Sequence, residues 1–163
     1  FSLGGAYFWS GQLEDAIVEL QRSVELDPNL SLAHLVYGQS LLYMGKHADA
    51  EEKFEIALKL DPSSDNIMHA LGLCYFMQDN FKAAADMLGR RITLTPSTDA
   101  SRALLVSTFG HMGRIEEARA AWAELKERHP NYSFSQRKKF LPFRNNRDPE
   151  RIEEGLRKAG VDQ

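Results

Sequence analysis

Small and large apolar residues are paired along this chain at a fixed interval. Ala16 and Leu20, Ala50 and Phe54, Ala84 and Leu88, and Ala118 and Trp122 stand four apart, and each pair follows the last by 34 residues. A separation of four puts both side chains on one face of a helix, where they can fill a core. Other positions keep the same period. Pro28, Pro62, Pro96 and Pro130 recur without a slip, and Gly4, Gly38 and Gly72 line up, with Val106 as the exception. Tyr7, Leu41, Tyr75 and Phe109 follow, and then Gly11, Gly45, Asp79 and Gly113. Recurrence of this kind is an internal repeat, and it decides the fold before any local propensity does. It predicts helices near 1–9, 13–26, 31–44, 47–60, 65–77, 81–94, 99–112 and 115–128.

Each column has a physical reason. Gly38 and Gly72 let the first helix of a hairpin approach the second at backbone distance. Gly11, Gly45 and Gly113 fall where a left-handed residue ends the first helix, and Asp79, followed by Asn80, tolerates that conformation better than most side chains. The prolines stop the second helix, and Asp-Pro-Asn at 27–29 or Asp-Pro-Ser-Ser at 61–64 turns the chain onward. The pairs Glu14-Asp15, Glu51-Glu52 and Glu116-Glu117 are read as openings of second helices, where the macrodipole favours negative charge.

Residues 31–64, SLAHLVYGQSLLYMGKHADAEEKFEIALKLDPSS, resemble the tetratricopeptide consensus at nearly every signature position, and the likeness extends over 1–132. The resemblance implies an all-α right-handed superhelix of about four hairpins: 1–30, lacking its opening residues, then 31–64, 65–98 and 99–132. It also implies that first helices line a concave surface. The lining positions here are Phe1, Gly5, Phe8 and Trp9; Leu32, Leu35, Gln39, Leu42 and Tyr43; Asn66, His69, Leu73, Phe76 and Met77; and Ala100, Ala103, Ser107, Gly110 and His111. Relatives that clamp a peptide's terminal carboxylate use Lys, Arg and Asn at such places. Only Asn66 qualifies here, so the expected groove is apolar and aromatic, narrowing to small residues in the fourth hairpin. The candidate protein-binding residues are Phe8, Trp9, Leu35, Gln39, Leu42, Tyr43, Asn66, His69, Leu73, Phe76 and Met77.

The period breaks after Pro130. NYSFSQRKKFLPF begins like another first helix but meets Pro142 too soon, RNNRD reads as a polar loop, and Asp148 with Pro149 behind it starts a helix that runs to about Ala159 before Gly160. Residues 133–163 are expected to cap the array, with Phe134, Phe140, Leu141, Ile152 and Leu156 covering the face left open around Trp122. The stretch KKFLPFRNNRDPERIEEGLRKAGV is also similar to the ending of repeat regions that follow a class III adenylate/guanylate cyclase domain in alphaproteobacterial proteins. Leu141-Pro142-Phe143, Asp148 and Gly155-Leu156-Arg157-Lys158-Ala159-Gly160 carry that likeness. It implies a bacterial signalling polypeptide with its catalytic part upstream of Phe1.

Composition adds the exclusions. Hydrophobic residues make up 43% and charged residues 26%, as in ordinary globular chains. No apolar run approaches the roughly 18 residues of a membrane span. Cys74 is the lone cysteine, which removes internal disulfides and points to a reducing, cytoplasmic setting. His34, His47, His69, His111 and His129 lack metal-ligand spacing and read as packed or groove-lining residues. No phosphate loop or nucleophile elbow is present, so neither catalytic residues nor cofactors are expected of this chain. Charge is uneven: residues 1–132 hold 12 Lys/Arg against 18 Asp/Glu, whereas 133–163 hold 8 against 5. The cluster Arg137, Lys138, Lys139, Arg144 and Arg147 is read as a solvated face or a dock for acidic protein, not as a nucleic-acid or membrane contact. The expected function is protein–protein interaction, as an accessory region of a signalling protein. A free-standing adaptor or a homodimerisation element, and hence a homo-oligomer, stands as the alternative.

Overall fold

The computed structural model describes residues 2–161, which form ten α-helices and, among the described residues, no strand. Phe1, expected at the head of the groove, lies outside them. Four hairpins follow one another: α1 (Ser2–Trp9) with α2 (Leu13–Leu26), α3 (Ser31–Tyr43) with α4 (His47–Leu60), α5 (Asp65–Met77) with α6 (Phe81–Leu94), and α7 (Asp99–His111) with α8 (Ile115–Arg128). These bounds match the periodic reading to within a residue or two at every end.

The bend inside each hairpin is the same construction four times. Gly11, Gly45, Asp79 and Gly113 have φ of 76°, 79°, 60° and 72°. The next amide then reaches back across the turn to the aromatic or Leu column: Gln12 to Tyr7, Lys46 to Leu41, Asn80 to Tyr75 and Arg114 to Phe109, all at 2.9 Å. Those bonds satisfy carbonyls that the end of a helix would otherwise leave bare. Asn80 further caps α6 by accepting from the Ala83 amide. Glu14-Asp15 and Glu116-Glu117 do open their helices, but Asp49 holds that place in α4, and Glu51-Glu52 sit a turn further in.

Close approach between the two helices of a hairpin explains the other glycines. A Cβ on Gly38 would lie 2.6 Å from the Phe54 ring, and one on Gly4 or Gly72 would lie 2.7 or 2.9 Å from Cγ of Leu20 or Leu88. Ala16, Ala50, Ala84 and Ala118 are fully buried beside them. Val106 breaks the glycine column in the fourth hairpin, and its partner Trp122 is correspondingly left only partly buried, edge-on to Tyr132 at 6.2 Å.

The tail departs from the cap expected of it. After α9 (Phe134–Arg137) and one 3-10 turn at 138–140, a non-helical stretch, bent at 144–146, leads into α10 (Arg147–Lys158). Tyr132 meets Trp122 and Phe134 is buried, as a cap requires. Phe140, however, is 86% exposed, and α10 packs along α7, the groove-lining helix, instead of stacking beyond α8. Asp148 is not the helix cap either. It is buried one residue inside α10, where its amide is held by Asn145 Oδ1 at 3.0 Å.

Candidate functional site

The concave face and the tail that crosses it form the most elaborate constellation in the molecule. Ends of α3, α5 and α7 build one wall. At the end of α3 the carbonyls of Leu41 and Leu42 are taken by Lys46 and Gly45, and the carbonyl of Tyr43 accepts the backbone N–H of Arg144 at 2.9 Å. The Phe143 ring stands edge-on to Tyr43, with centroids 4.9 Å apart and planes at 82°. Tyr43, His69 and Leu73 thus share one small cavity, of about 50 Å³, with Leu141, Phe143 and Ile152 of the tail.

Where α10 crosses α7, the two backbones touch. A Cβ on Gly110 would lie 2.0 Å from the Gly155 carbonyl, and one on Gly155 would lie 2.1 Å from Ser107 Oγ. Two α7 side chains then bind the α10 backbone. Ser107 donates to the Ile152 carbonyl at 2.9 Å, and His111 Nε2 donates to that of Arg151 at 2.9 Å. Lys158 Nζ lies 3.3 Å from His111 Nδ1, and the imidazole stacks on Phe81 at 4.9 Å. Ile152 and Leu156 close the apolar side of the crossing.

Charges frame the rim. Arg144 pairs with Glu14 and Arg151 with Asp79, while Arg137 meets Asp99 at 2.8 Å. His47 lies 3.4 Å from the buried Asp148 carboxylate. The basic tail thus answers the acidic repeats of its own chain. A hydrogen bond from backbone N–H holds the Glu14 carboxyl below the ordinary carboxylate range, and Arg144 lowers it further. Burial raises the Tyr43 hydroxyl, partly offset by the charge of Arg137. Deeper in, Arg91 donates to Ser101 Oγ at 2.7 Å, so that hydroxyl is free to donate to His69 Nδ1 at 2.8 Å. Burial first, then Arg91 and Arg137, drive His69 down to about 3, and the ring stays neutral.

The eleven candidate groove residues therefore divide. Phe8, Leu35, Leu42, Leu73, Phe76 and Met77 are buried, with Phe76 fully enclosed between Phe81 and His111. Those six form the floor and the hairpin cores, not an open apolar strip. Gln39, Tyr43 and His69 are half-buried at the surface of that floor, and Asn66 and Trp9 are exposed. A cleft of about 440 Å³ remains open between Trp9, Gln39, Phe140 and Pro142. Sequence reasoning placed Ser107, Gly110 and His111 on the concave face without giving them a role; it named Arg144 only within a basic face and Gly155 only within a family likeness, and it missed Arg151. The run of small residues in α7 was the available signal, because a second backbone can lie only where side chains are short.

The remaining chemistry is structural. Cys74 is buried, donates to the His47 carbonyl at 3.2 Å, and is pushed up to about 12 by burial. His34 and His129 bind the carbonyls of Pro28 and Ser97. Among the described residues no group of three or more His, Cys, Asp or Glu is placed to hold a metal ion, and no helix is long and apolar enough to cross a membrane.

Comparison with known proteins agrees with this geometry. Residues 36–98 and 104–132 each match a family described as Tetratricopeptide repeat. The mouse BBSome complex member BBS4 is 30% identical over 84 residues, which is 52% of this chain and 16% of that protein. The crystal structure of MamA superposes with a TM-score of 0.76 at 23% identity, covering 98% of this chain and 93% of that one. The first such domain of Spaghetti (RPAP3), bound to the HSP90 peptide SRMEEVD, gives 0.66 at 20% identity over 68% of this chain and 88% of its own. At these identities the structural likenesses concern the fold.

Proposed function

We propose that this array of tetratricopeptide repeats is a protein-interaction module whose concave face receives a polypeptide segment of its partner. The observation that carries the reading is the non-helical stretch 141–146 lying on that face, extended at Leu141 and bent at 144–146, with its backbone bonded to Tyr43 and its Phe143 ring against the Tyr43 ring. A surface able to take one non-helical segment by main-chain and aromatic contacts has the chemistry for another. RPAP3, a structural neighbour, is itself seen with a bound peptide. Tyr43, Gln39, His69 and the exposed Trp9 are the residues within a partner's reach. Phe8, Leu35, Leu42, Leu73, Phe76 and Met77 hold their shape from below, and Asn66 stands at the edge. The tail's likeness to cyclase-associated repeat regions supports a finer reading, in which this module is the accessory part of a larger signalling polypeptide. Sequencing the gene upstream of Phe1 tests that part, and a reading frame without a cyclase domain removes it.

The binding face is tested by photo-crosslinking in cells. Benzoylphenylalanine placed at Gln39, in the open cleft, should form a discrete adduct, whereas the same group at Val18, 58% exposed on α2, should not. Adducts from Val18 alone would move the site to the outer helices.

A further inference from the structure

Resting on that reading, we propose that the concave face selects an extended segment of the pattern apolar–proline–aromatic–arginine with basic flanks, and that Leu141-Pro142-Phe143-Arg144 is a built-in competitor which such a partner displaces. The tail shows what the face recognises. Leu141 is extended at φ −84° and ψ 130°, the conformation a following proline favours. Pro142 brings no amide that would need a partner and restricts the free segment before it docks. Phe143 meets Tyr43 edge-on, the Arg144 amide takes the last carbonyl of α3, and its guanidinium pairs with Glu14. Complementarity extends to the flanks, where Arg137 and Arg151 face Asp99 and Asp79.

The same contacts show that the segment is replaceable. Leu141, Pro142 and Phe143 are only half-buried, and the small cavity beneath Leu141 and Phe143 leaves part of the floor uncontacted. The Arg144–Glu14 pair is more than half exposed on both sides, and Asp79, the partner of Arg151, is exposed too; such pairs hold weakly. What keeps the segment in place is its tether. Linked through α9 and anchored by α10, it competes at the high effective concentration of an intramolecular ligand. A partner's apparent affinity is therefore reduced by the fraction of molecules in which the face is open.

Gly155→Ala is the wedge that tests this. The added methyl would lie 2.1 Å from Ser107 Oγ and 2.4 Å from the Ser107 carbonyl, so α10 must leave α7, although alanine suits a helix better than glycine does. The probe is a fluorescein-labelled synthetic peptide of residues 137–151, RKKFLPFRNNRDPER, which holds both flanking arginines, followed by fluorescence polarisation against the whole chain. Wild type should bind it weakly and Gly155→Ala at least about tenfold more tightly. The peptide with Phe143→Ala should lose that gain. Circular dichroism checks the fold; should Gly155→Ala unfold, the double variant Arg144→Glu/Arg151→Glu breaks both rim pairs without changing a hairpin residue and carries the same expectation. A folded, released variant that binds no more tightly than wild type overturns the proposal, and so does equal binding of the Phe143→Ala peptide. Release that yields dimers by light scattering with no uptake of peptide also overturns it, assigning the face to a second copy's tail. A crosslink at Gln39 alongside failed peptide binding would leave the concave reading standing and remove only this ligand chemistry.

Discussion

One chemical change, Gly→Ala, should have opposite effects at two helical glycines, and the difference tests the close-packing argument for the repeat. Gly89 lies in α6, where a new Cβ would meet nothing within 4 Å. Alanine there gains only helix propensity, about 0.5–1 kcal/mol. Gly38 lies in α3, where the same Cβ would come within 2.6 and 2.7 Å of Phe54 ring carbons. Phe54 is fully buried, so its ring cannot swing into solvent, and the two helices must separate. Overpacking of this kind costs about 1–3 kcal/mol, which outweighs the propensity gain. Gly72→Ala should fall between them, because the atoms it meets at 2.9 and 3.0 Å belong to the flexible end of Leu88. The propensity gain is common to both, so urea titrations followed by far-UV circular dichroism should separate Gly89→Ala from Gly38→Ala by about 1–3 kcal/mol, with unchanged m-values. If Gly38→Ala proves as stable as Gly89→Ala, close approach does not explain the glycine column.

Acid should weaken the fold through His69. Its folded value of about 3 lies below the ordinary imidazole value, so the unfolded chain takes up the proton first. Its contribution is complete above pH ~6.5 and declines by up to about 1.4 kcal/mol per pH unit as pH falls toward 3; denaturant titrations of His69→Gln should show a shallower decline. Cys74, buried and pushed up to about 12, should react slowly with a thiol reagent at pH 8 and quickly only once denaturant opens the chain. Leu156→Ala removes a fully buried side chain from the α7–α10 contact. It should cost about 2–5 kcal/mol in a thermal or urea melt, unless α10 detaches first, in which case the loss stops at the docking free energy of that helix.

The hairpins were legible because their contacts are short in sequence and repeat. Gly38 meets Phe54 sixteen residues on, and Gly72 meets Leu88 at the same distance, so each copy restates the rule for the others. The Asp79 exception was readable too, since its φ of 60° suits the few side chains that tolerate a left-handed turn. The tail had no such support. Arg144 and Glu14 are 130 residues apart, Arg151 and Asp79 are 72 apart, and no second copy of either pair exists to compare. Charge asymmetry recorded that the two parts are opposite in sign without saying that they meet.

The apolar positions of the tail suit an end cap as well as they suit the concave face. Tyr132, Phe134, Ile152 and Leu156 are what a cap needs, and all four are buried, but only Tyr132 meets α8, through Trp122, while Phe134 lines the cavity on the concave face and Ile152 and Leu156 belong to the helix that packs on α7. The concave strip and the terminal face are both apolar, so hydrophobicity alone cannot choose between them. Steric fit chooses. α7 offers Ser107 and Gly110 where α5 offers Leu73 and Phe76 at the corresponding turns, and only the former lets the backbone of α10, through Gly155, come to contact distance. Once α10 lies there, the six residues before Arg147 have to cross the concave face. The length of that connection, together with the open carbonyl of Tyr43, places Phe143 against the same ring that the repeat pattern had reserved for a partner.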